Sequence, residues 1–306
     1  MASITRITLF IPGAPSSVRA WNAALDGLRI ERGALRGSAA RVEWITNDGA
    51  FGQAFSFGTV TDEVRETIDR APGALVLHWP IDLRTGRKEI VATIRKLRRA
   101  GALGVRLEQS KVGWSTADWL QLFGSRDPWA WHRGAIAFLS SATTMQSCGM
   151  HAFSLPDVQI AIDGDARAAQ QLASVLSVYQ LDEDPVIRSG ETFAPDASTP
   201  RRLVERWPDT QYPSDHTCHN PYGVWRIGPP GGTARSLGEH ELVFIPALYA
   251  VLGALKQKLT RKQLEAVRDD ASCIAMTPRD AQKLERERGY ADLDPELAWE
   301  QWKLVR

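Results

Sequence analysis

The chain has 306 residues, 43% of them hydrophobic and 24% charged, a balance that excludes a disordered or low-complexity protein. It carries 37 Lys and Arg against 36 Asp and Glu, a formal net charge of +1. No global field therefore pulls it toward nucleic acid or an anionic membrane, and neither is expected as a partner.

Residues 4–11 (ITRITLFI) are apolar and β-branched and read as a strand, ended by PGAPSS. This opening run is short and broken by Arg6 and Pro12, unlike a secretory leader. Residues 18–30 place apolar side chains at helical spacing, and 40–46 alternate like a half-buried strand. The Gly- and Phe-rich stretch 50–60 reads as a further strand. Residues 62–71 read as a short helix with acidic residues in the first turn, where the helix dipole favours them. The clearest unit follows. An apolar strand (73–80) leads into an amphipathic helix (85–101) with Ile90, Ile94 and Leu97 on one face and Gly101 as its C-cap, then into a second strand (103–110). Short links between them predict a crossover joining parallel strands.

A capped helix is expected at 115–124, strands at 134–142 and 157–162, a helix at 165–181 and a strand at 185–193. This recurrence suggests two similar sub-lobes, 1–125 and 126–235, although no residue-level repeat supports them. Residues 194–235 read as irregular. From 236 the pattern is mainly helical, with Thr260 and Asp294 as caps and a single strand at 272–278. The greasy stretch 242–255 is too short for ~30 Å of hydrocarbon and reads as a buried helix with Pro246 near its start. The expected fold class is α/β (α+β): a mixed β-sheet with flanking helices in a core domain, 1–235, with a helical region, 236–306, packed on it.

Three cysteines, an odd number, argue against a disulfide framework and for a reducing cytoplasm. Cys273 lies in an apolar run and reads as core. Cys148 and His151 have C-x-x-H spacing, and His216 and His219 have H-x-x-H spacing. Brought together, the four could close a tetrahedral zinc site, with Cys218 or Asp215 able to replace one ligand. A second chemistry makes Cys148 a thiolate nucleophile activated by His151 or His216. The plainer reading is a turn at Gly149, with Cys148 buried as a small apolar residue and His151 bonded to backbone. The Gly-rich GPPGGT (228–233) lacks the Lys-Ser/Thr of a P-loop and reads as a turn.

Lys88, Arg95 and Arg99 share one helical face, expected to be solvated, with an acidic protein or nucleic acid as the alternatives. The chain holds 11 tryptophans. Trp129 and Trp131 in DPWAWH, and Tyr222 and Trp225 in NPYGVW, sit in stretches that read as loops. They are candidates for core lids or interface anchors.

Five phrases go together: VRLEQSKVGW (105–114), SCGMHAFSLPD (147–157), IRSGETFAPD (187–196), DHTCHNPYGVW (215–225) and RGYADLDPELAWEQW (288–302). Over most of the chain from about residue 73, these resemble a bacterial family catalogued as domain of unknown function 4261, or a near relative. The resemblance implies secretion-system and polymorphic-toxin loci, with an immunity or accessory role. It carries over no catalytic residue. With no recognised catalytic set, many tryptophans and this resemblance, the expected activity is non-enzymatic binding and neutralisation of a cognate toxin. A metal- or thiol-dependent enzyme is the alternative.

Overall fold

The computed structural model describes residues 6–162, 164–196, 199–230, 241–244, 247–255, 259–271, 273–276, 278–290, 292–293 and 298–304. The chain divides into two compact units, residues 1–231 and 232–306.

In chain order the first unit contains β1 (Ile7–Gly13), α1 (Val18–Ala24), β2 (Arg29–Glu31), β3 (Ala34–Arg36), β4 (Arg41–Thr46), α2 (Asp62–Asp69), β5 (Gly73–Trp79), α3 (Leu83–Arg99), β6 (Gly104–Leu107) and β7 (Gly113–Ser115). It continues with α4 (Thr116–Gly124), α5 (Pro128–Ala135), β8 (Ala137–Ser140), β9 (Thr144–Cys148), β10 (Asp157–Ala161), α6 (Ala166–Glu183), β11 (Glu191–Phe193), β12 (Arg202–Trp207) and β13 (Val224–Pro230).

These strands form a seven-stranded sheet, β2-β3-β4-β5-β1-β6-β7, and a six-stranded sheet, β11-β12-β13-β10-β9-β8. The fold is α+β. The strand–helix–strand unit β5-α3-β6 forms as expected, but its strands are not neighbours. β1 lies between them and pairs antiparallel with both, Leu9 standing opposite Leu77 on one side and Leu107 on the other. All seven residues of β1 are buried, as a central strand covered on both faces requires. Ile7, Leu9 and Ile11 face Ile90, Ile94 and Leu97 of α3, while Phe10 turns to the opposite face with Phe51, Phe55 and Ile68. Each fully buried Leu or Ile contributes roughly 1.5–3 kcal/mol of hydrophobic stabilisation.

The second sheet holds a parallel pair, β10 with β13, and is otherwise antiparallel. Its core joins Val158, Ile160, Val204, Trp225 and Ile227 to Ala169, Ala173 and Leu176 of α6. The two sheets are alike in carrying helices and differ in strand order, so the suspected echo is one of composition and not of connectivity.

Several local expectations are corrected. The 50–60 stretch forms a short 3₁₀ turn at Gln53–Phe55, because Phe51 and Phe55 are needed as core and not as ladder residues. The helical reading of 18–30 stops at Ala24, and Arg29–Glu31 belongs to β2. DPWAWH is the start of helix α5: the Asp127 carboxylate accepts the Trp129 N–H, and Pro128 sits in the first turn. β12 and β13 lie within the stretch read as irregular, 194–235.

The second unit contains β14 (Glu241–Phe244), α7 (Leu248–Ala254), α8 (Arg261–Asp270), β15 (Cys273–Met276), α9 (Pro278–Arg288) and α10 (Ala298–Leu304). The run read as one buried helix, 242–255, is strand β14, paired antiparallel with β15, followed by α7. Thr260 caps α8 in a full capping box with Gln263. Leu248, Leu252, Leu264, Leu293, Ala298 and Trp302 form its core. Pro246, Asp294, residues 231–233 of the Gly-rich stretch and the side chain of Cys273 lie outside the described residues.

No described helix is long and apolar enough to cross a membrane.

Candidate functional site

The two chemical-looking segments meet. β9 ends at Cys148, and the chain turns at Gly149 with φ +120° into a 3₁₀ turn at Met150–Phe153. Any Cβ at 149 would stand 2.7 Å from the Ala135 carbonyl oxygen, so close packing and backbone conformation both select glycine. The second segment enters from β12 and is folded by its own side chains. The Asp209 carboxylate accepts the amides of Gln211 (2.9 Å) and Asn220 (2.8 Å). Gly223, at φ +70°, returns the chain to β13 with no room for a Cβ, which would lie 2.3 Å from the Trp207 carbonyl oxygen.

Four contacts clamp the segments together. Asn220 Nδ2 donates to the Asp157 carboxylate at 2.6 Å and to the Leu155 carbonyl at 3.0 Å. His151 Nε2 lies 3.1 Å from the Thr217 carbonyl oxygen, and Cys148 Sγ lies 3.9 Å from the Cys218 carbonyl oxygen. A carbonyl only accepts, so His151 carries its proton on Nε2, and its buried Nδ1 is left without a partner. Burial pulls the His151 pKa down to about 4, against a smaller upward pull from the Thr217 hydrogen bond. The imidazole is neutral at pH 7.

Asp157 sits under the junction, 1% exposed. It accepts from Ser147 Oγ (2.8 Å), the Met150 amide (3.2 Å) and Asn220. Burial pushes its carboxyl up to about 7, opposed by the Asn220, Ser147 and Met150 donors and reinforced by the nearby Asp209 charge.

The two cysteines are buried and free, and Cys148 Sγ lies against the Cys218 backbone. Cys148 also lies 3.5 Å from the Gln109 carbonyl oxygen, and Cys218 lies 3.8 Å from that of Glu108. The Cys148–Cys218 contact raises the Cys148 thiol above its usual range, with burial adding to the rise. The same contact lowers Cys218, with Lys111 and His216 assisting and burial opposing.

Each of the four residues expected to share a zinc is engaged with a backbone group. His216 is exposed, stacks on Tyr212 at 4.7 Å and accepts the Cys218 amide on Nδ1. His219 Nδ1 donates to the Tyr212 carbonyl at 3.1 Å and stands 3.8 Å from Asp209. The loop thus uses both rings to hold itself. Among the described residues no group of three or more His, Cys, Asp or Glu is placed to hold a metal ion. Cys218, first considered only as a substitute ligand, is a neighbour of Cys148. Asp157 and Asn220 were not singled out from the sequence, where nothing separates a buried Asp or Asn from an exposed one.

The aromatic candidates divide. Trp129 is 45% exposed on α5. Trp131 is half-buried, with the Arg87 guanidinium 4.2 Å from its ring and its indole N–H on the Ser125 carbonyl. The Tyr222 hydroxyl accepts from Arg6 at 3.0 Å. Trp225 is corrected to a core residue: it is 5% exposed beneath Arg206 in the second sheet and offers no surface to a partner.

The basic face does more than sequence spacing foretold. Arg95, Arg98 and Arg99 of α3 line a groove of about 520 Å³, closed on the other side by Ala117, Leu120 and Gln121 of α4. Lys88 is exposed two turns earlier. Arg95, Arg98 and Arg99 form no ion pair among the described residues, whereas Arg84, Arg106 and Lys111 are each paired to a carboxylate.

Compared with known proteins, the chain matches no family model, no curated protein and no solved structure.

Proposed function

We propose that this protein acts by binding another protein and not by catalysis, as an immunity-type protein that holds and neutralises a cognate toxin through an acidic surface of that partner. The observation that carries this reading is the α3/α4 groove, where three exposed guanidiniums stand together without carboxylates. Their mutual repulsion is tolerated while each is hydrated. An acidic segment entering the groove relieves it and gains bidentate guanidinium–carboxylate bonds. Leu120 supplies an apolar floor, and the exposed Trp129 on the following helix adds an anchor of the type that concentrates binding energy. The burial of Cys148 and His151 also favours this reading, because neither presents its reactive atom to a substrate.

Co-expression with the product of the neighbouring gene, followed by affinity capture at low and high salt, tests the proposal. A stable complex that weakens as salt rises supports it, since the expected contacts are charged. No complex, together with no rescue of toxicity, overturns it.

A further inference from the structure

Cys148 and Cys218 are 70 positions apart, and the fold brings them together: Cys148 Sγ lies 3.9 Å from the Cys218 carbonyl oxygen, and the two thiols rest on the carbonyls of adjacent residues, Gln109 at 3.5 Å and Glu108 at 3.8 Å. One lies at the end of a sheet strand and the other in a surface loop that turns on itself. Neither thiol is committed to a disulfide. Residues 213–217, which lie next to Cys218 in the chain, are all exposed. Nothing in the α3/α4 groove involves them.

We propose that Cys148 and Cys218 form a redox-active dithiol, a modification site that hydrogen peroxide converts reversibly into a disulfide. Opening of the 213–217 segment admits the peroxide. Cys218 is the attacking thiolate, because it adjoins the exposed 213–217 segment and Lys111 adds positive potential there. Its sulfur bonds to one peroxide oxygen, the O–O bond breaks, and the departing hydroxide takes a proton and leaves as water. Cys218 is then a sulfenic acid. The Cys148 sulfur attacks Cys218 Sγ, the S–O bond breaks, and the second hydroxide leaves as water with the Cys148 proton. Two thiols have lost two electrons to one peroxide, giving one disulfide and two waters. The bond staples the 209–223 loop to β9, and a dithiol reductant reverses it.

The test is peptide mapping of the full-length chain. Reduced protein is exposed to equimolar hydrogen peroxide, alkylated, digested and analysed by mass spectrometry. The expected result is a Cys148–Cys218 linked peptide that disappears on treatment with dithiothreitol. Cys148→Ser is expected to accumulate a dimedone-reactive sulfenic acid on Cys218. Cys218→Ser is expected to leave Cys148 as an alkylatable thiol. Circular dichroism checks that each variant folds, and should either fail, the wild-type map alone decides. Oxidation of Cys273 with Cys148 and Cys218 still alkylatable would overturn the proposal, as would any other pairing in the wild type.

Discussion

The junction of residues 146–157 with 209–223 and the groove between α3 and α4 are built on opposite principles. In the junction the polar groups that tie the two segments are buried and answered: Asp157 by three donors, Asp209 by two amides, Asn220 by Asp157, Leu155 and Tyr222. In the groove three cations are exposed and unanswered. Satisfied buried polar groups specify one arrangement of the chain, whereas unpaired exposed charges contribute little to folding and remain free to meet a partner. The residues that look most chemical therefore hold the fold together, and those that look like an ordinary solvated face are the ones offered outward.

Substitutions should separate the two regions sharply. Asn220→Ala leaves Asp157 short of a donor, the Leu155 carbonyl without one, and the Tyr222 amide without its acceptor. Urea unfolding should show a loss of about 3 kcal/mol; a loss below 1 kcal/mol would mean the junction is wet and loosely held. Gly149→Ala forces a Cβ against the Ala135 carbonyl at positive φ and should cost roughly 2 kcal/mol in the same measurement. Arg99→Glu, by contrast, should change stability by less than about 0.5 kcal/mol.

Acid distinguishes the regions in another way. His132 and His151 are both pulled down to about 4 by burial, from an ordinary 6.5. Between these values the unfolded chain binds protons that the folded chain refuses. Their contribution is complete above about pH 6.5 and is lost as pH falls toward 4, on the order of 3 kcal/mol for each ring. Asp157 works in the opposite sense: its carboxyl, raised from 3.8 to about 7, keeps a proton that the unfolded chain has released, so its contribution declines as pH rises through that window. Two histidines outweigh one aspartate, so thermal stability should fall from pH 6.5 to 4. His132 Nε2 has no partner, so His132→Phe should flatten that fall at little cost at pH 7. An unchanged pH profile in His132→Phe would show that the ring is hydrated.

Much of this architecture was legible in the sequence because it is local. Ile90, Ile94 and Leu97 announce the buried face of α3, and Gly149 announces the turn after β9. The insertion of β1 between β5 and β6 was not legible, since pairing of residues 7–13 with 73–79 is a long-range event that no period encodes. Asp127-Pro128 is a helix-start signal, and the density of aromatics after it obscured that. Cys148 and His151 draw attention by residue type, and the fold brings them against the second segment. What that segment contributes was hidden: its histidines face their own loop backbone, and its asparagine and cysteine make the junction. The stripe of Lys88, Arg95 and Arg99 followed from helical spacing, but the groove did not, because its other wall comes from α4.

The most direct test of the division between a structural junction and a binding groove is the affinity of the triple variant Arg95→Glu/Arg98→Glu/Arg99→Glu for the partner captured with the wild-type protein, measured by isothermal titration beside His216→Ala. The account predicts that charge reversal weakens binding at least ~100-fold, or about 2.7 kcal/mol, with no change in melting temperature, and that His216→Ala binds like wild type. Undiminished binding by the triple variant, with loss in His216→Ala, would contradict it.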